Sequence, residues 1–363
     1  MSRFYDDAIL GINGVVYARR SAYKTLTRSL GLPDDNYQPI YEILGEAVPP
    51  LRELIWINPA TYIGITIDGD LFSFVNGKTV HLESPIVSAY LGSHNHQLNG
   101  LLVVLLENGR PRIVAINEVD SLISVNPSDI DREIPQDIMI MSPIHSRLIP
   151  DSNEEYDIND SDHFLMVTSN NEFLATTVAY HPELNQRGYP VTSNNPFDAY
   201  LRITRTIDNN LNLDYRDIVQ IRSGWILMND SKIYTIGYSG GYYLKEYIHN
   251  VKDVIDLQPR LSIYPRLLTR SGQLYANNMP VPGFEFTNPV KLVYHYYLDQ
   301  HGNITTDNAI GVTVQGADGG VYRIVLGNMT ELLPPNNMLS YIGRMTKSSR
   351  SVAHSLNIKS KYK

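Results

Sequence analysis

The chain has 363 residues, no cysteine and a formal net charge of −8. This excludes disulfides, thiolate metal centres and cysteine nucleophiles, and it argues against broad nucleic-acid binding through the folded body. Hydrophobic residues make up 43% of the chain and charged residues 19%, with 25 tyrosines, an ordinary globular balance with enough apolar side chains for a large core.

In chain order, one unit recurs: an apolar strand, a two-residue turn, then a short strand that ends in an aromatic. Residues 9–12 lead into Asn13-Gly14 and Val15-Val16-Tyr17. Residues 62–67 lead into Asp68-Gly69 and Asp70-Leu71-Phe72, with Leu54-Ile55-Trp56-Ile57 as a further strand upstream. A strand over 86–90 precedes 101–106 and Asn108-Gly109, although Arg110-Pro111-Arg112 replaces the aromatic step. Residues 164–167 run to Asn170-Asn171 and Glu172-Phe173-Leu174, with Leu122-Ile123-Ser124-Val125 read as the upstream strand. Residues 218–221 precede Trp225-Ile226-Leu227-Met228, Asp230-Ser231 and Lys232-Ile233-Tyr234. Residues 251–257 precede Arg266-Leu267-Leu268-Thr269, Ser271-Gly272 and Gln273-Leu274-Tyr275. Residues 290–294 precede 310–314, Asp318-Gly319 and Gly320-Val321-Tyr322. Asn-Gly and Asp-Gly accept the positive φ that tight hairpin turns require.

Seven hairpins spaced roughly 50 residues apart match the repeat of a β-propeller. The expected fold is all-β: a seven-bladed propeller with short helical inserts. The first hairpin lacks an upstream strand, and Met338-Leu339-Ser340-Tyr341-Ile342 supplies one at the other end of the chain. Pairing of the N- and C-terminal strands then closes the ring and removes open sheet edges. One propeller domain is expected over residues 1–343, with inserts near 20–50, 126–162 and 176–217. Helices are predicted at 21–30, where Ser21 caps a stripe of Ala22, Leu26 and Leu30 before Gly31 and Pro33, at 197–205 after Asn195-Pro196, and at 242–249.

Residues 218–237 resemble one blade of the regulator of chromosome condensation family: apolar strand, Gly-containing turn at Gly224, second apolar strand, turn, and a Tyr-bearing strand ending in Gly237. The resemblance implies seven blades closed by shared termini. Blades of that family carry a Gly-x-x-His step, whereas Gly224 is followed here by Trp225-Ile226-Leu227. No residues match a motif for that family's nucleotide-exchange or chromatin-binding activities, so neither is carried over.

The residues with chemical potential are few. The acidic stretch 126–162 holds Asp157, Asn159 and Ser161 at calcium-loop spacing. Asp162 stands where such a loop needs Gly and Thr168 where it needs Glu, so a solvated loop is expected. His94 and His96 form the one close histidine pair, with His81, His145 or His163 as a third ligand in space, and a polar loop is the plainer reading. No metal or cofactor is expected. Two tyrosine groups, Tyr238, Tyr242, Tyr243 and Tyr247, and Tyr296 with Tyr297, are candidate binding residues beside Gly-rich loops. Beyond 343 lies a basic tail, read as flexible, with Arg344, Lys347, Arg350, Lys359, Lys361 and Lys363.

The expected function is a non-enzymatic scaffold or adaptor that binds another protein. The alternatives are a hydrolase or lyase with an acid and histidine site at one propeller mouth, and a nucleic-acid-associated protein acting through the tail. Divergence between repeats is frequent in viral and phage chains, which makes a viral adaptor one form of the first reading. The absence of a basic-then-apolar leader in the first ten residues, and of any apolar run near 18 residues, predicts an intracellular, cytoplasmic protein without membrane contact.

Overall fold

The structure is a computed structural model that describes residues 8–11, 14–18, 38–39, 48–58, 61–74, 77–91, 101–116, 122–124, 134–144, 163–180, 182–184, 190–192, 199–222, 224–258, 264–293, 297–298, 304–305, 311–325 and 328–333. The described residues are all-β apart from one short 3-10 turn, Tyr215–Asp217. An N-terminal sheet of three strands, Ala8–Leu10, Val16–Ala18 and Gln38–Pro39, is followed by four-stranded antiparallel sheets, here blades I to VI. Blade I is Leu51–Asn58, Thr61–Thr66, Leu71–Ser73 and Thr79–Val80; blade II is Ile86–Leu91, Leu101–Leu106, Pro111–Ile116 and Leu122–Ser124. Blade III is Ile138–Ile144, His163–Thr168, Phe173–Tyr180 and Ala199–Ile207; blade IV is Ile218–Arg222, Trp225–Met228, Ile233–Tyr238 and Tyr242–Tyr247. Blade V is Val254–Gln258, Arg266–Thr269, Gln273–Ala276 and Met279–Glu285; blade VI is Pro289–Val293, Gly311–Gly316, Val321–Val325 and Asn328–Leu333.

The first strand of each blade lies against the first strand of the next, from blade I through blade VI, so these strands form the inner ring. Apolar cores fill the spaces between successive blades. Leu102, Val104 and Leu106 pack with Ile63, Ile65 and Leu71 of blade I. Val103 and Leu105, on the opposite face, pack with Met141, Phe164 and Met166 of blade III. A second strand clamped on both faces needs apolar residues at every position, which is why Leu101–Leu106 reads as an unbroken run rather than an alternation. Trp225 and Leu227 face blade V, and Ile226 and Met228 face blade III, by the same rule. Ile9 and Tyr17 of the N-terminal sheet share a core with Val321 and Leu333 of blade VI. The last blade therefore packs on the first sheet. The chain is a β-propeller.

The seven turns carry positive φ on their second residue: Gly14, Gly69, Gly109, Asn171, Ser231, Gly272 and Gly319. Among the turns whose first residue is described, that residue is not in the left-handed region, as a two-residue type I′ turn would demand. In the blade I turn, Gly69 N–H donates to the Thr66 carbonyl (3.0 Å) and Thr66 N–H to the Asp70 carbonyl (2.8 Å). This is a type I turn closed by a one-residue bulge, a three-residue loop in place of the expected two.

These turns also fasten neighbouring blades. The turn carbonyl accepts from the opening N–H of the next inner strand: Leu51 to Gly14 (2.8 Å), Ile86 to Gly69 (2.8 Å) and Ile138 to Gly109 (3.0 Å). Where the turn residue has a polar side chain, that side chain substitutes: Val254 N–H donates to Ser231 Oγ (3.0 Å) and Tyr215 N–H to Asn171 Oδ1 (2.8 Å). Between blades V and VI, Phe286 N–H donates to the Gly272 carbonyl (3.2 Å), and a Cβ on Gly272 would lie 1.5 Å from Phe286 O.

Three expectations are corrected. Residues 242–249 and 197–205 are not helices: Tyr242–Tyr247 and Ala199–Ile207 are the outer strands of blades IV and III. In each, aromatic and β-branched residues outweigh the helical spacing, and Leu244 and Leu201 are buried by pairing on the neighbouring strand. Leu122–Ser124 closes blade II rather than opening blade III, whose inner strand, Ile138–Ile144, lies inside the segment read as an acidic insert. The helix expected at 21–30 and the closing strand at 338–342 lie outside the described residues.

Candidate functional site

Blade IV divides the expected tyrosine group between its two faces. Tyr242 lies beneath the Arg205 guanidinium of blade III, 4.4 Å from carbon to ring centre. Tyr247 meets Trp225 edge-on (5.3 Å), stacks on His249 (5.8 Å) and approaches Tyr264 (5.6 Å) toward blade V. Tyr243 leans over Gly237, where a Cβ would come within 2.9 Å of its ring. Tyr238 ends its strand opposite Tyr242, and Tyr297 belongs to a two-residue strand paired with Ile304–Thr305. Tyr296, His94, His96, His145 and the basic tail, Arg344, Lys347, Arg350, Lys359, Lys361 and Lys363, lie outside the described residues. His81 pairs with Asp70 (2.9 Å), and His163 opens the second strand of blade III. Among the described residues, no three metal-ligating side chains gather.

A different set of residues is brought together by the ring itself. In every four-stranded blade, the pairing of the inner strand with the second strand slips just after the opening residue, and in blade I it slips again between Trp56 and Asn58. Leu51 pairs with Thr66 but Glu53 with Ile65, and Ile86 pairs with Leu106 but Ser88 with Leu105. The same slip skips Met139, Val219, Ile255 and Val290. Its cause is visible at the strand start. The residue before the strand gives its carbonyl to its own blade's turn, as Pro50 does to Ile67 N–H (3.1 Å) and Pro85 to Glu107 N–H (2.7 Å). With the opening residue also fastened to the previous blade, the extra residue bulges, and a bulge re-aims its side chain.

The bulged residues, Arg52, Val87, Met139, Val219, Ile255 and Val290, occupy one equivalent position around the mouth of the ring. Val87, Met139 and Val219, on the consecutive blades II, III and IV, are 37%, 37% and 50% exposed. Most of the described rim is therefore apolar, and among blades I to VI only blade I places a cation there.

One residue further along lies a polar tier: Glu53, Ser88, Gln220, Asp256 and Lys291, with Ile140 in blade III. Asp256 is 2% exposed and fully engaged. It accepts from Gln220 Nε2 (2.6 Å), from its neighbour Leu257 N–H (2.8 Å) and from Leu292 N–H of blade VI (2.6 Å), and it pairs with Arg222 (3.3 Å). Arg222 also donates to the Leu257 carbonyl (3.2 Å), and Ser142 Oγ to the Ile221 carbonyl (3.0 Å), so this tier stitches inner strands III to VI together. Glu53 and Lys291 influence each other from blades I and VI, on either side of the N-terminal sheet. Crowding by the walls pushes the Glu53 carboxyl up to about 7, against the pull of Arg52 and Lys291. The same crowding, helped by Arg222, pushes the Lys291 ammonium down, although its surface still meets water along the axis. Displaced titrations of this kind mark candidate sites when they sit in a shaped opening.

No family model and no curated protein matches the chain. Solved structures resemble the chain only at low identity and low TM-score. BamB from Moraxella catarrhalis is 12% identical, with 89% of this chain and 98% of that one covered at a TM-score of 0.39. Sqt1 from Saccharomyces cerevisiae is 11% identical, with 76% and 71% covered at 0.41. BBS1N, solved in complex with ARL6DN, is 11% identical, with 78% and 81% covered at 0.40.

The rim and the tier beneath it escaped sequence reasoning. Each rim residue is one apolar side chain in an apolar strand, and only the bulge turns it outward. The rim residues stand at different distances from their blades' turns, so no fixed spacing in the sequence singles out Arg52 as the charged residue at this position.

Proposed function

We propose that the chain is a non-enzymatic, intracellular scaffold that docks a protein partner across the axial mouth, on the rim formed by Val87, Met139 and Val219. The observation that carries this reading is the repeated bulge, which presents apolar side chains at one equivalent position of consecutive blades. Apolar surface grouped on a rigid frame, beside polar groups that fix orientation, is the composition of an interface core and rim. The N-terminal sheet is read here as a seventh blade, completed by residues 338–342. Its shared core with blade VI supports that count. The resemblance of residues 218–237 to the regulator of chromosome condensation family is taken as architectural.

The test is a comparison of partner capture by the wild-type chain and by Met139→Asp and Val219→Asp. A partner that docks on the rim is held by wild type and by Tyr243→Ala, and is lost at least tenfold from either Asp variant. Equal capture by all four proteins removes the rim from the reading.

A further inference from the structure

Two buried polar groups in one sector of the mouth have no partner. They are the Nε and Nη2 nitrogens of Arg52, on the inner strand of blade I, and the hydroxyl of Ser88, on the inner strand of blade II. These two strands are neighbours in the ring. Nε and Nη2 lie on the same edge of a guanidinium and form the fork that grips a carboxylate or phosphate through two parallel hydrogen bonds. The acids nearby do not fill it. Glu53 and Glu107 act on Arg52 electrostatically, yet neither is among the ion pairs formed by the described residues. Glu107 is held by its own backbone, whose N–H donates to the Pro85 carbonyl at the foot of the blade II inner strand (2.7 Å). The influence of Glu107 on Arg52 sets that side chain near blade II, the blade that carries Ser88.

Native proteins seldom leave buried donors unpaired, and a place for a bound water or ion is one of the reasons they do. Three donors from two adjacent strands, a fixed positive charge and a position on the rim together describe a receptor for an oxyanion. We propose that the sector of the axial mouth between the inner strands of blades I and II is an anion-binding site, in which the Arg52 fork and the Ser88 hydroxyl hold a carboxylate or phosphate group. Arg52 is partly exposed at the rim, so a swing of its own side chain admits the ligand without separating the blades. The site stands whether or not a protein docks on the apolar part of the rim.

The experiment is a thermal melt of the full chain in about 10 mM sodium phosphate, about 10 mM sodium acetate, or sodium chloride at matched ionic strength. The wild-type protein should melt about 2 °C higher in phosphate or in acetate than in chloride, the size of shift that a ligand several-fold above its Kd gives a chain of this length. Phosphate and acetate separate the two ligand sources, and a rise with either upholds the site. Arg52→Lys keeps the charge but not the fork and should lose the rise, as should Ser88→Ala in part. Arg52→Met should also lose it, while melting no lower than wild type in chloride, because it removes donors that nothing satisfies. An equal rise in Arg52→Met, no rise in wild type with either ion, or a lower melting temperature of Arg52→Met in chloride overturns the proposal; the last would mean that Arg52 holds the fold together.

Discussion

Replacing Glu53 with Gln should stabilise the protein above neutral pH and leave it nearly unchanged at pH 5. The Glu53 carboxyl is raised from 4.5 to about 7, with crowding by the channel walls as the main cause. A carboxyl raised on folding binds its proton more tightly in the folded chain. Its favourable contribution is therefore complete below the unfolded value, declines as pH rises from about 4.5, and is gone above about 7. At about 1.4 kcal/mol per unit, the full displacement corresponds to about 3 kcal/mol. Glu53 is only half-buried and water reaches the axis, so screening reduces this to about 1–2 kcal/mol. Gln keeps the shape and hydrogen-bonding reach of the protonated acid and cannot ionise. Thermal melts from pH 5 to pH 8 should show Glu53→Gln above wild type at pH 8 by about 2–4 °C, with the two curves converging at pH 5. If Glu53→Gln melts below wild type at pH 8, the carboxylate is stabilised by Arg52 and Lys291 rather than strained beside them, and the account of the polar tier is wrong.

Two further outcomes follow from the ring. Gly272→Ala should lower the melting temperature far more than Gly240→Ala: both glycines have positive φ, but a Cβ on Gly272 meets Phe286 O at 1.5 Å and one on Gly240 meets nothing within 4 Å. The Gly240 change costs about 1 kcal/mol of backbone strain, and equal melts for the two variants would show that the turn does not fasten blade V to blade VI. Removing residues 338–342 should expose the Ile9 and Tyr17 core to solvent, and hydrogen exchange should then accelerate in Ala8–Leu10 and Val321–Val325 while blade III stays protected; unchanged exchange would show that the ring closes without that strand.

The repeat was legible because its turns are written in residue types. Gly, Asn and Ser at the left-handed position recur between apolar runs, and all seven were found where the chain turns. The strands that misled are those whose composition conflicts with their place. Ile138–Ile144 is an inner strand embedded in an acid-rich stretch, and Tyr242–Tyr247 carries Tyr and Leu at spacings that also suit a helix. The outer strands are half-solvated, and neighbouring blades decide their state more than their own alternation does. The bulge positions were out of reach for a stronger reason. The slip at Arg52, Val87, Met139 and Val219 arises from hydrogen bonds between segments far apart in the chain, such as Ile86 to Gly69 and Ile138 to Gly109, and no local pattern encodes them.

The docking face can be read out directly by placing a photo-crosslinking residue at Val87, Met139 or Val219, and at the outer-strand residue Glu246 as a control, in chains expressed in cells. Docking across the axial mouth predicts that the three rim positions capture the same partner and that Glu246 does not. Capture from Glu246 alone, with none from the rim, would contradict it.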